Sequence, residues 1–181
     1  MADGVEGVNR TVLAMVLMGG LAVTACSAPG SSSQSTGPAA TDEANSPLPE
    51  SLCDAIPAAL GEAALGTAVG DPQGGDVVPR PNGVYCRYSA ADDANINVEA
   101  QLKEMTRAEF EALAATLGMT ETLPGAGEAA FKLDRSTMGG AGASVAAFEG
   151  GRGVTVVLNG EGDAGAQLAA VLAIAKAALA S

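Results

Sequence analysis

The sequence predicts an α+β fold: one domain over residues 50–181, a mostly antiparallel, curved sheet with three helices packed on it. Three observations carry this prediction. Short runs with strand-like alternation are joined by Gly- and Pro-rich turns too brief for parallel crossovers. One segment, Thr106-Arg107-Ala108-Glu109, has the spacing of a capping box that opens a helix. A long C-terminal stripe of Leu, Val and Ala recurs at helical spacing.

Taken in order, Leu52, Ile56, Ala59, Leu60 and Ala63 define the face of a first helix, and Gly66 follows Leu65 where helices favour a glycine stop. Pro57 belongs in the first turn of the helix proper, with Leu52 to Ile56 a separate leading turn, because a mid-helix proline costs about 3 kcal/mol. Gly70 to Gly83 reads as loop, holding Pro72, Gly74, Gly75, Pro79 and Pro81. Val84–Tyr88 and Ile96–Leu102 read as paired strands, the second with clean alternation. Behind the capping box, Phe110, Leu113, Ala114 and Leu117 form one stripe that Gly118 closes. Strands are then expected at 119–123, 129–133, 144–149 and 154–159, separated by turns at Pro124-Gly125, Gly139-Gly140 and Gly150-Gly151. Asp163 caps a last helix whose Leu168, Val171, Leu172, Ala175 and Leu179 share a face.

The N-terminal region reads as address rather than fold. Residues 11–25 carry no charge, follow Arg10 and end in small residues before a cysteine, which is the anatomy of a signal peptide over residues 1–25. The run is shorter than the roughly 20 apolar residues a bilayer span needs. Val23-Thr24-Ala25-Cys26 resembles the bacterial lipobox, and that resemblance implies that Cys26 is lipidated and becomes the new N-terminus. Each buried methylene contributes about 0.8 kcal/mol, so two acyl chains hold stably where one holds marginally. Residues 26–49 then form the lipidated cysteine and a stalk of Ser, Pro, Thr, Ala and Gly that buries too little to offset its ordering entropy. As a coil it spans roughly 25 Å.

Removing the first 25 of 181 residues leaves 156, enough for one core. The net charge of −12 with no histidine disfavours nucleic acid, whose binding depends on neutralising phosphates. Absence of histidine also rules out a Ser-His-Asp triad. Asp93, Asn95, Asn97, Glu99 and Glu104 match a calcium-loop spacing, but Val98 replaces the turn glycine and the segment alternates as a strand, so neither metal nor cofactor is expected. The glycine clusters at 125–127 and 139–142 lack the helix opening of a phosphate loop and read as turns. Arg87 and Arg152 are candidate contacts for an anionic partner, against the plainer reading that surface arginines only solubilise.

Cys53 and Cys86 remain. In an exported chain two leftover cysteines most simply form one disulfide, here tying the first helix to the first strand. Opening it from either side is expected to cost a similar amount. The layout from Cys53 onward also resembles a family of domain-of-unknown-function lipoproteins from high-G+C Gram-positive bacteria. The likeness rests on Cys53 opening a helix, Leu65-Gly66 ending it, Cys86-Arg87-Tyr88 in a strand, and Gly125-Ala126-Gly127-Glu128-Ala129 after the middle helix. Tyr88 stands where many members have Trp. The resemblance implies an envelope lipoprotein with a disulfide and supplies no activity.

These readings point to a lipoprotein anchored at Cys26 on the extracytoplasmic face of the cell membrane. Its domain is expected to bind an envelope protein without turning over a substrate. The rival reading is a carrier of an apolar, lipid-like ligand, motivated by abundant Ala, Val and Leu beside only 3% aromatics.

Overall fold

The computed structural model describes residues 47–77, 83–135 and 141–181. The expectations for residues 1–46, including the signal peptide, Cys26 and most of the stalk, lie outside the described residues, as does the Gly139-Gly140 turn. Leu48, on the stalk side of the expected boundary, packs against the core.

Pro57 divides the first helical region into α1 (Leu52–Ala55) and α2 (Ala58–Leu65), as its missing N–H requires. Gly66 adopts φ +69 and donates its N–H to the Glu62 carbonyl, closing α2. The buried face of α2 is the expected one only in part: Leu60 packs against the core. Gly61 and Ala64 point inward, whereas Ala59 and Ala63 are exposed. The break at Pro57 frees α2 to turn out of phase with Leu52 and Ile56, and Tyr88 selects the side: a Cβ at Gly61 would lie 2.8 Å from its ring. The Tyr88 hydroxyl donates to the Ile56 carbonyl at 2.6 Å, locking both helical pieces onto the sheet. Burial first, and then the Asp54 carboxylate, raise this phenol above its ordinary pKa.

The expected loop at 70–83 contains a strand. β1 (Gln73–Asp76) pairs with β2 (Gly83–Ser89), with Gly75 opposite Tyr85. Composition hides it because Gln73-Gly74-Gly75-Asp76 buries no side chain and is held by backbone hydrogen bonds to its neighbour. After β2 come β3 (Asn97–Glu104), α3 (Arg107–Thr116), β4 (Glu121–Thr122), β5 (Ala129–Asp134), β6 (Ala143–Glu149), β7 (Arg152–Asn159) and α4 (Ala164–Leu179). The strand expected at 119–123 shrinks to two residues, because Met119 turns inward into a hydrophobic cluster under α3 instead.

The pairings between the named strands are antiparallel, in the order β1-β2-β3-β7-β6-β5-β4, so the expected α+β class holds. Opposite residues in antiparallel strands share a face, which sorts the side chains into two sets. Val84, Cys86 and Tyr88, Val98, Ala100 and Leu102, and Val154, Val156 and Leu158 point toward α1, α2 and α4 and form the main core. α4 starts on the expected Asp163 cap (Ala166 N–H to Oδ1, 2.8 Å); of its expected face Val171, Ala175 and Leu179 are buried in this core, Leu168 and Leu172 pack against it partly buried, and Ile174 and Ala178 join them.

α3 lies on the other face. Its capping box is complete: the Glu109 N–H donates to Thr106 Oγ1 at 3.3 Å, and the Thr106 N–H donates to Glu109 Oε2 at 2.7 Å. These bonds from Thr106 hold the Glu109 carboxyl below its usual pKa. Phe110 and Ala114 are buried against Ala146 and Phe148, with Phe131 beside them. Leu117, expected on the same stripe, is 40% exposed, since the helix ends there and Gly118 turns the chain away at φ +75. β6, covered on both faces, is buried from Ala143 to Phe148.

Candidate interaction surface

The two faces of the sheet are covered unequally. One carries α1, α2 and α4. On the other, α3 rests over β5 and β6, while β1, β2, β3 and β7 carry no helix among the described residues. Alternation assigns the side chains there: Tyr85 and Arg87 from β2, Asn97, Glu99, Gln101 and Lys103 from β3, Thr155, Val157 and Asn159 from β7.

These side chains are ordered by one another. Glu99 accepts from Arg87 Nε at 2.8 Å and from Gln101 Nε2 at 2.7 Å, so its carboxylate is held from both sides. A second chain runs across the strand ends, where Asn159 donates to Asn97 Oδ1 at 3.1 Å and Arg135 donates to Asn159 Oδ1 and to the Leu158 carbonyl. The Tyr85 ring lies beside Gly75, where an added Cβ would come within 3.6 Å of Cε1. The result is a polar and prearranged patch at the β1 side of the sheet.

The two arginines singled out from the sequence are not brought together. Arg87 lies on this open face, paired to Glu99 with its side chain 44% exposed. Arg152 points to the opposite face and donates to the carbonyls of Leu179 and Ser181 at 2.7 and 2.6 Å. It satisfies carbonyls at the α4 C-terminus, where a cation is favoured, and is therefore a capping residue. Sequence reasoning missed Gln101, Asn159 and Arg135 and met Asn97 and Glu99 only in a calcium-like spacing, although the alternation of β3 was enough to place Asn97, Glu99 and Gln101 together.

The calcium-like spacing has a different use. Asp93 Oδ1 accepts from the Asn95 backbone and side chain at 2.9 and 3.0 Å, and Asn97 Nδ2 donates to the carbonyls of Ala94 and Asn95, building the β2–β3 turn. Among the described residues, no group of three His, Cys, Asp or Glu is placed to hold a metal ion.

Cys53 and Cys86 form the expected disulfide, linking α1 to β2. The glycine segment 125–127 is a latch. Gly125 and Gly127 have φ +84 and +76, Ala126 between them is 1% exposed in the core, and the Glu128 N–H donates to the Phe148 carbonyl. Glu128 then accepts from the Gly150 N–H at 3.0 Å, fastening the β6–β7 turn. A Cβ at Gly127 would lie 2.5 Å from the Phe148 oxygen. Gly127→Ala is accordingly expected to destabilise the domain by about 1 to 3 kcal/mol, read as a lower urea midpoint, whereas Gly66→Ala, with open space around it, should cost less.

Among the described residues, grooves of about 210, 350 and 370 Å³ open on the surface, and each of these is lined by at least one charged residue: Lys132 in the first, Arg107 and Glu128 in the second, Glu149, Arg152 and Lys176 in the third. No described helix is long and apolar enough to cross a membrane. No family model, curated protein or solved structure matches the chain.

Proposed function

We propose that this chain is a cell-envelope lipoprotein, anchored at Cys26 on the extracytoplasmic face of the membrane, whose folded domain is a non-enzymatic binding module. The location rests on Val23-Thr24-Ala25-Cys26 following an uncharged run. The binding reading rests on one observation: among the described residues, half of one sheet face carries no helix, yet its side chains are already fixed by mutual hydrogen bonds. A surface ordered in advance loses less entropy when a partner arrives.

Cys26→Ala is expected to move the protein from the membrane fraction to the soluble one; a variant that still sediments, unprocessed, would refute the anchor. For the surface, a photoreactive side chain replacing Tyr85 should cross-link in intact cells, while the same group at Ala59, exposed on α2, should not. Equal capture at both positions would remove the open face from the proposal. Copurification of lipid with the purified protein would favour the apolar-carrier reading instead.

A further inference from the structure

The two sulfurs of the bridge have different surroundings. Cys86 lies in the middle of β2, 2% exposed, on the main-core face between Val84 and Tyr88 and opposite the buried Ala100 of β3. Cys53 is half-buried on α1, a helix of four residues. What stands against its sulfur is the edge strand: a Cβ added at Gly74 would lie 3.0 Å from Cys53 Sγ, and Gly74 pairs with Cys86 across the ladder. The side chain that Gly74 lacks is therefore the space that the bridge fills.

β1 is a weak cover. It is the last strand on its side of the described sheet, and none of its four side chains is buried. A segment with few apolar contacts and exposed hydrogen bonds opens at a fraction of the global unfolding free energy. Lifting β1 bares Cys53 Sγ, whereas Cys86 keeps its neighbours in the core. Thiol–disulfide exchange depends on which sulfur a thiolate can reach and on how well the other sulfur leaves. Here the reachable sulfur and the leaving sulfur are set by the fold. Attack at Cys53 expels Cys86 as an anion among apolar side chains, where charge is poorly solvated, so Cys86 readily recloses the bridge.

We propose that Cys53 is the thiol–disulfide exchange site of this domain: small external thiols and disulfides react at Cys53 Sγ, and Cys86 is the internal thiol that leaves or resolves. In the reducing direction an incoming thiolate bonds to Cys53 Sγ as the bond to Cys86 breaks, and the electron pair departs with Cys86 Sγ. A second thiolate then takes the first from Cys53, so two external thiols become one disulfide and the bridge becomes two thiols. In the oxidising direction the Cys53 thiolate opens an external disulfide and expels one thiolate. Cys86 then attacks Cys53 Sγ and expels the other. The site lies on the helix-bearing side of the sheet and does not depend on the open face.

The test uses the full chain with Cys26→Ala, so that the bridge holds both remaining cysteines. The bridged protein is exposed to mercaptoethanol in urea below its unfolding transition, quenched in acid, digested with pepsin and mapped by mass. Mercaptoethanol adducts should occur on Cys53 at least tenfold more often than on Cys86. The rate should change less than twofold with urea while the domain stays folded, because an edge strand and not the core must move. Above the transition the preference should vanish. Adducts shared evenly in the folded protein overturn the proposal, as does a bridge that resists the thiol until the domain unfolds, or a rate that climbs with the unfolded fraction. A preference for Cys53 that persists in the unfolded chain also overturns it, because the selectivity would then belong to the local sequence and not to the fold.

Discussion

Phe110→Ala is expected to destabilise the domain by about 3 to 5 kcal/mol, the range for emptying a buried phenylalanine site. The chain has only three phenylalanines, and all three meet at this point: the Phe110 ring centroid lies 5.9 Å from that of Phe131 and 5.5 Å from that of Phe148. Phe110 is 1% exposed and, with Ala114, is the buried contact by which α3 holds its face of the sheet. The loss should therefore be local in part. Hydrogen exchange should accelerate across 106–118 before it does so in β3 or β7, whose main-core side chains are untouched. Leu117→Ala, at a 40% exposed site, should stay within about 0.5 kcal/mol. A Phe110→Ala domain with an unchanged urea midpoint would show that α3 is not held by this cluster.

Opening the disulfide is the second large effect. Cys53 and Cys86 are 33 residues apart, and closing such a loop stabilises by roughly 3 to 4 kcal/mol in the chain-entropy model. From the sequence, the two serine variants should cost the same. The structure separates them. Cys86 is 2% exposed among core residues, whereas Cys53 is half-buried against the Gly74 backbone. A serine hydroxyl at 86 must find a partner in the core, and failing to do so costs about 1 to 3 kcal/mol more. Cys86→Ser should thus show the lower urea midpoint of the two, and Cys53→Ser should match the chemically reduced parent. If both variants matched the oxidised parent, the bridge would contribute nothing to stability.

The candidate surface was legible only in pieces. Arg87 stood out as a charge and β3 as an alternating strand, but that Glu99 is gripped by Arg87 twelve residues away follows from the β2–β3 register. Arg152 stood out equally and proved to cap α4, through partners 27 and 29 residues distant that no local pattern connects to it. Tyr88 drew attention for a position shared with a family motif, yet its work is to seat on Gly61 and hold the Ile56 carbonyl.

By itself, the sequence determined whatever is decided within one helical turn or one strand period. The Thr106–Glu109 box and the Asp163 cap form between residues three apart, so they follow from spacing alone. The strands at β2, β3 and β7 follow from alternation, and two cysteines suffice for one bridge. The tertiary structure alone decided which face each element presents. α3 and α4 each follow a hairpin and each carry an apolar stripe, yet they pack on opposite sides of the sheet, because the choice lies with distant partners: Phe131 and Phe148 for one, the main core for the other. β1, with two glycines and no buried side chain, exists only because β2 offers it hydrogen bonds. Among the described residues, the face without a helix is the remainder once three helical segments have taken one side and α3 has taken one end of the other, a result of long-range packing that no single stretch of sequence encodes.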